Sequence, residues 1–541
     1  MKGLAIVILA LLLPTAAAAQ HEQQMGMKMP ATTLEKGLGR VSHRVTTSKP
    51  EAQRFFDQGL AFIYAFNHEQ AVKSFKRAAE IDPMMAMAYW GQALALGSNY
   101  NLEADSAALK EAYADLRKAI ELAPKASQKE RDYIDALSKR YATDPDKVDK
   151  KQLASDYSNA MGELSKKYPD DLDAATLYAE SMMNLRPWQL WTHDGKPADE
   201  NTNKIVAVLE SVLKRDPNHT GANHYYIHAV EASTNPERAL PSAKRLGLIA
   251  PNAGHLVHMP SHIYIRTGDY AEAAKVNAAA VVVDRNYVEK NGPQGVYPMM
   301  YYNHNMHFLA SANSMNGNFK EAIKWSRELQ NNVKPALEAM PMLEMFAAYP
   351  LTTMIRFAKW DDILAEPQPD AKHLYWSAMW HFARGTAFAA KSKADDATKE
   401  LDDLRSVQKA VPADYKLGNN PAVDLLHVAN ELLTTAVHRA KGDKEKTRHE
   451  FEQAVIAEDA LIYGEPPDWD MPTRELFGQW LLTEGKFAEA EQVYRAELQK
   501  HPKNGRALFG LMQSLQHQNK DTRNVQKDFQ KAWVNADTKL Q

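Results

Sequence analysis

The sequence predicts an all-α fold of stacked antiparallel helix pairs, and three observations carry that prediction. From about Pro50 the chain is a succession of amphipathic segments of about 12 to 16 residues, separated by short turns containing Gly, Asp, Asn or Pro. Strand-like alternation of apolar and polar residues is hard to find. The segments also repeat with a period of about 34 residues, the mark of helix pairs that cannot bury their apolar faces alone and must stack on their neighbours.

Taken in order, residues 1–19 (MKGLAIVILALLLPTAAAA) combine one lysine, an apolar run from Leu4 to Leu13 and small residues ending in Ala17-Ala18-Ala19. This pattern predicts a cleavable secretory signal peptide, a mature chain starting near Gln20, and a periplasmic or secreted location. The run is too short to cross a bilayer, which needs roughly 20 apolar residues, and no later stretch comes close, so no membrane insertion is expected after signal removal. Residues 20–48 lack helical periodicity and are rich in Gly, Pro, Thr and Ser, which predicts a flexible leader. That leader holds His21, Met25, Met27 and Met29, a short tract able to capture copper.

The repeat is clearest in FFDQGLAFIYAFNHEQAVKSFKRAAEIDP (55–83), with Gly59, Ala71, Phe75, Ala78 and Pro83. GQWLLTEGKFAEAEQVYRAELQKHP (478–502) repeats it with Gly478, Ala490, Tyr494 and Pro502. RTGDYAEAAKVNAAAVVVD (266–284) and SMNGNFKEAIKWSREL (314–329) share a Gly-x-aromatic-x-Glu-Ala turn. Small residues let paired helices approach, and proline ends the second helix of each pair. These segments resemble the tetratricopeptide repeat over about two thirds of residues 50–541, with degenerate repeats near 106–183 and 371–441, and the resemblance implies a right-handed superhelix, a tetratricopeptide-like α-solenoid. The insertions and histidine segments resemble exported bacterial proteins of that type whose biochemical role is unknown. Pro-rich LAEPQPDAKH predicts a division into arrays at 49–365 and 370–541.

Composition narrows the function classes. The 65 Lys plus Arg nearly cancel the 68 Asp plus Glu, so no basic field exists to hold nucleic acid. The absence of cysteine excludes disulfides, thiolate metal sites and a lipid-bearing cysteine. Insertions at 89–101, 183–202, 290–303 and 463–478 interrupt the minimal repeat, and insertions in such arrays usually emerge on the binding face. Arg186, Trp188, Trp191 and Trp469 are therefore candidates for a lid or rim, or else plugs for gaps between degenerate repeats.

Seven of the 19 histidines fall between residues 224 and 307. Aligned on the turn glycines Gly268 and Gly317, His258 matches His307 and His255 matches His304; aligning Ala239 with Ala273 matches His224 to His258 and His228 to His262. At about 100° per residue, His255, His258 and His262 share a face, as do His224, His228 and Glu231. The resemblance implies that these positions line the concave groove, and two ligand classes suit it. The favoured expectation is a peptide or protein partner held by His224, His228, Glu231, His255, His258, His262, Arg266, His304 and His307. The alternative is copper or zinc held by His224, His228, His258, His262 and His307, with Glu231 as a carboxylate, opening the way to a metal-dependent enzyme. Histidines satisfied in a packed core are the bland reading. No phosphate loop, nucleophile elbow or dinucleotide fingerprint accompanies the cluster, so a binding scaffold is expected rather than an enzyme. Pro260 is the weak point: a helix starting there would leave His255 and His258 in a loop.

Overall fold

The computed structural model describes residues 32–540. The predicted signal peptide and the Met-rich tract lie outside these residues. The described chain is all-α, as the periodicity predicts: helices succeed one another from Pro50 to Ala532, and the strands are confined to the two-residue pair Lys416–Leu417 and Asn420–Pro421. Among the described residues no helix is long and apolar enough to cross a membrane.

Neighbouring helices pair in sequence. Pro50–Tyr64 packs on His68–Ile81, and the repeat residues do what their sizes require. The ring of Phe75 fills the gap between Gly59 and Gly91, where an added Cβ would meet it at 2.6 and 2.5 Å. Tyr494 sits in the same way against Gly478 and Gly510 near the other end of the chain. Gly268 and Gly317 both adopt φ +73°, a left-handed turn that glycine adopts without steric cost.

The apolar interior forms one cluster spanning Leu38 to Tyr301, a linking cluster from Val281 to Tyr349, and another from Ala348 to Leu515. The division expected at the Pro-rich segment thus falls inside the last cluster, because Ile363 before it and Tyr375 after it bury into the same core. Proline interrupts the helix there without interrupting the packing.

Residues 32–48 depart from the flexible leader predicted for 20–48. They are non-helical, but they run as a strap along the starts of successive helices. Thr47 Oγ1 donates to Asp82 at 2.5 Å, the Thr46 amide to Glu130 at 2.5 Å, and the Arg40 amide to Thr220 Oγ1 at 3.2 Å. The His43 imidazole meets Asp173 at 2.9 Å, and the Asn252 amide donates to the Gly37 carbonyl at 2.9 Å. Lack of periodicity meant an extended segment whose hydrogen bonds go largely to side chains at or beside helix ends.

Candidate functional site

Four helical segments carry the histidines: Thr220–Val230, Gly254–His258, Pro260–Arg266 and Asn303–Met315. Pro260 opens a new helical segment without ending the helical path, since Met259 keeps φ -50° and ψ -34° and its amide bonds to the His255 carbonyl. His255 and His258 therefore lie on a helix, and the loop alternative does not arise. Glu231 caps the end of Thr220–Val230, and the Arg266 side chain donates to its carbonyl at 3.0 Å.

The imidazoles converge. His224, His228 and His255 offer ligand atoms within 4.8 Å of one another, as do His258, His262 and His304. The Nε2 atoms of His258 and His262 are 2.9 Å apart, and those of His224 and His255 are 3.1 Å apart. The outer nitrogens are anchored. His224 Nδ1 lies 2.7 Å from the Tyr64 carbonyl and His258 Nδ1 2.7 Å from Asn277 Oδ1. The Asn277 amide nitrogen donates to the Ala273 carbonyl, which turns its oxygen toward the ring. One Glu231 carboxylate serves both groups, with Oε1 at 2.8 Å from His228 Nδ1 and Oε2 at 2.5 Å from His262 Nδ1.

These partners dictate tautomers. A carbonyl or carboxylate only accepts, so Nδ1 of His224, His228, His258 and His262 carries the proton and Nε2 presents a bare lone pair. In the His258–His262 pair the two Nε2 atoms then face each other at 2.9 Å, a repulsive arrangement unless a proton or a metal ion lies between them. His228 Nε2 is buried with no partner at all, as is His255 Nδ1. Protonation is opposed: burial, reinforced by the neighbouring imidazoles, drives His224, His255, His258 and His304 well below the usual imidazole range. Burial alone would raise the Glu231 carboxyl, but His262 and His228 hold it down at about 2, so it stays ionised.

Aromatic rings enclose the cluster. Phe66 lies 4.5 Å from His224 between ring centroids, Tyr100 5.3 Å from His228, Tyr301 4.9 Å from His255 and Phe308 4.6 Å from His258. Of the lid candidates, Trp188 stacks on Tyr100 and turns its edge to His228 at 5.7 Å. Trp191 bonds the Ala229 carbonyl, Trp469 plugs the last core beside Phe382, and Arg186 is exposed and paired with Asp199. Only Trp188 touches the cluster. His224, His228, His255, His258 and His262 are each at most 1% exposed. They do not line an open groove as expected, because the insertions fold back over the concave face.

His307 is a correction. It packs against Tyr349 at 4.4 Å and Phe346 at 5.3 Å, and burial pushes its imidazole down to about 3. Several neighbouring repeats meet one helical turn out of register. His224 meets His255 rather than its alignment mate His258, Glu231 meets His262, and His258 meets His304 rather than His307. His307 is left to face the following repeat.

Tyr64, Phe66 and Asn277 were missed, since nothing in their local sequence ties them to residues as much as 160 positions away. A second polar cluster also escaped notice, in which half-buried Asp173 accepts from Tyr64 Oη at 2.5 Å and lies 2.9 Å from His43 and 3.2 Å from His219. Two clefts flank the loop 461–470, which reaches into the concave side. One of about 750 Å³ is lined by Arg266, Tyr463, Glu465 and Asp470, and one of about 870 Å³ by Tyr100, Arg140, Trp188 and Asn419. Burial raises the Glu465 carboxyl to about 7.

No protein-family model matches the chain, and no curated protein is significantly similar to it. Among solved structures it is similar to yeast Tom70, at 13% identity and TM-score 0.33, over 88% of this chain and 99% of that one. It is similar to human IFIT1, solved as a dimer with PPP-AAAA, at 13% identity and TM-score 0.36, over 89% of each chain. The P58(IPK) TPR domain is similar at 12% identity and TM-score 0.22, over 86% of this chain and 98% of that one. The helix pairs, with an aromatic ring held between paired glycines near both ends of the described chain, make this an all-α helical-repeat fold.

Proposed function

We propose that this is an exported helical-repeat protein whose concave centre binds a transition metal, copper or zinc, through its buried histidines. One observation carries the reading: the Nε2 atoms of His258 and His262 face each other across 2.9 Å in a buried cluster whose outer nitrogens are already engaged. Two nitrogens bound to one ion at 2.0 to 2.1 Å stand about 3.3 Å apart in a tetrahedral site, close to that separation. Outer nitrogens held by Tyr64, Asn277 and Glu231 are what metal-bound histidines need, since those contacts fix the tautomer and the ring direction. An all-imidazole set suits copper and zinc, with copper bound more tightly. The signal-like residues 1–19 support the exported location.

Elemental analysis of the purified full chain tests this. Copper or zinc should be present, and adding metal to the stripped protein at a hundred times its Kd should stabilise the fold by about 2.7 kcal/mol. His258→Ala with His262→Ala should lower both the bound metal and that gain. A wild-type chain that carries no metal and gains no stability from Cu(II) or Zn(II) would overturn the proposal.

The cleft beside Arg266 favours a second reading, a peptide or protein partner seated there rather than on the histidines. Its test is the pull-down of a partner that Glu465→Lys abolishes while bound metal is unchanged.

A further inference from the structure

Resting on the metal reading above, we propose that the centre holds two ions, one on His224, His228 and His255 and the other on His258, His262 and His304. The geometry divides the histidines this way. Within each triad the ligand atoms lie within 4.8 Å of one another; the rings stand 4.8 to 5.0 Å apart for the pairs 224–228, 224–255, 258–262 and 258–304, and 6.3 and 5.8 Å apart for 228–255 and 262–304. The triads abut each other, with His228 and His262 at 5.2 Å and His255 and His258 at 5.7 Å. Six imidazoles exceed the four ligands that a tetrahedral ion takes, whereas three apiece leave one position open on each ion. The ions are of the class that prefers imidazole nitrogen, and copper heads that order.

Glu231 joins the two halves. Its two oxygens hold His228 of one triad and His262 of the other, so it orients a ligand of each ion and carries one negative charge shared between them. A competing arrangement uses the same atoms differently, with a single ion on His228, Glu231 and His262. That arrangement would spend the two Nδ1 atoms already paired with the carboxylate. It would also leave the opposed Nε2 atoms of His258 and His262 unexplained. His304 is the one member of the triads that is partly exposed, which places the open side of the centre at the second ion.

The experiment is loading of the metal-free full chain with Cu(II), removal of excess metal, and measurement of copper per chain together with the electron paramagnetic resonance spectrum. Two copper ions per chain with a spin-coupled or silent spectrum are expected. His224→Gln and His304→Gln should each lower the content toward one and restore an uncoupled copper signal, with circular dichroism showing an unchanged helix content. Glu231→Gln should weaken both ions roughly 10- to 100-fold without deleting one selectively. One copper per chain in the wild type, or two with uncoupled spectra, overturns the two-ion centre while leaving the metal reading intact. No copper at all overturns that reading as well.

Discussion

At the scale of residues, the proposed metal centre depends on groups that would touch no ion. Asn277 fixes His258 through a single hydrogen bond and is itself fixed by the Ala273 carbonyl. Asn277→Ala should therefore lower metal affinity roughly 10- to 100-fold with the ligands intact, as read by competition with a chromogenic chelator. His43 offers a different test. Burial lowers its imidazole, but the hydrogen bond and charge of Asp173 outweigh burial and hold it above the usual value, while His219 and His43 keep Asp173 well below the carboxylate range. The histidine contribution is full below about pH 6.5 and disappears as pH rises through the raised value; the aspartate contribution is present above about pH 4 and disappears as pH falls through the depressed one. The strap should be tightest between these limits. Hydrogen exchange of residues 36–47 should accelerate from pH 6 to pH 9, as the charge that strengthens the His43–Asp173 contact is lost. Exchange that is flat after correction for intrinsic rates would refute this.

At the scale of elements, the repeat was legible because its signals are local. Phe75 and Tyr494 each need glycine on facing helices, and those glycines stand in the sequence at fixed spacing. Gly478→Ala, placing a Cβ 2.6 Å from the Tyr494 ring, should cost about 1 to 3 kcal/mol in chemical denaturation, the range for overpacked cores. The alignment of histidines between repeats was also legible, and it pointed to six of the residues that converge. It failed for His307 because alignment marks equivalent positions, whereas contact joins positions one turn apart. Pro260 showed the same limit: its missing amide predicts a boundary, but not that helical dihedrals continue through Met259.

At the scale of the whole molecule, the last repeats return to the middle of the chain. Lys503 pairs with Asp269 at 2.5 Å, and Asp537 accepts from the Phe319 amide at 2.7 Å, at the start of the helix Phe319–Val333. Arg356 meets Glu475 at 2.7 Å with both side chains nearly buried. Removing the charge on Glu475 would leave Arg356 buried with a weaker partner, so Glu475→Gln should cost about 3 kcal/mol in thermal or denaturant unfolding. A cost below about 0.5 kcal/mol, typical of a surface pair, would show that this closure contributes little. The closure also brings the loop 461–470 over the concave side, where Tyr463 lies under the Arg266 guanidinium at 5.6 Å and Glu465 reaches the cleft.

The sequence by itself determined the helices, their pairing and the alignment of the histidines, because periodicity, small residues and turn glycines act over a few tens of residues. Tertiary structure alone decided that the histidines are enclosed rather than open to a groove, that the stagger excludes His307, and that residues 32–48 bind along the helix starts. Those outcomes rest on contacts between segments as far apart as Tyr64 and His224, or Gly37 and Asn252, which no local pattern encodes.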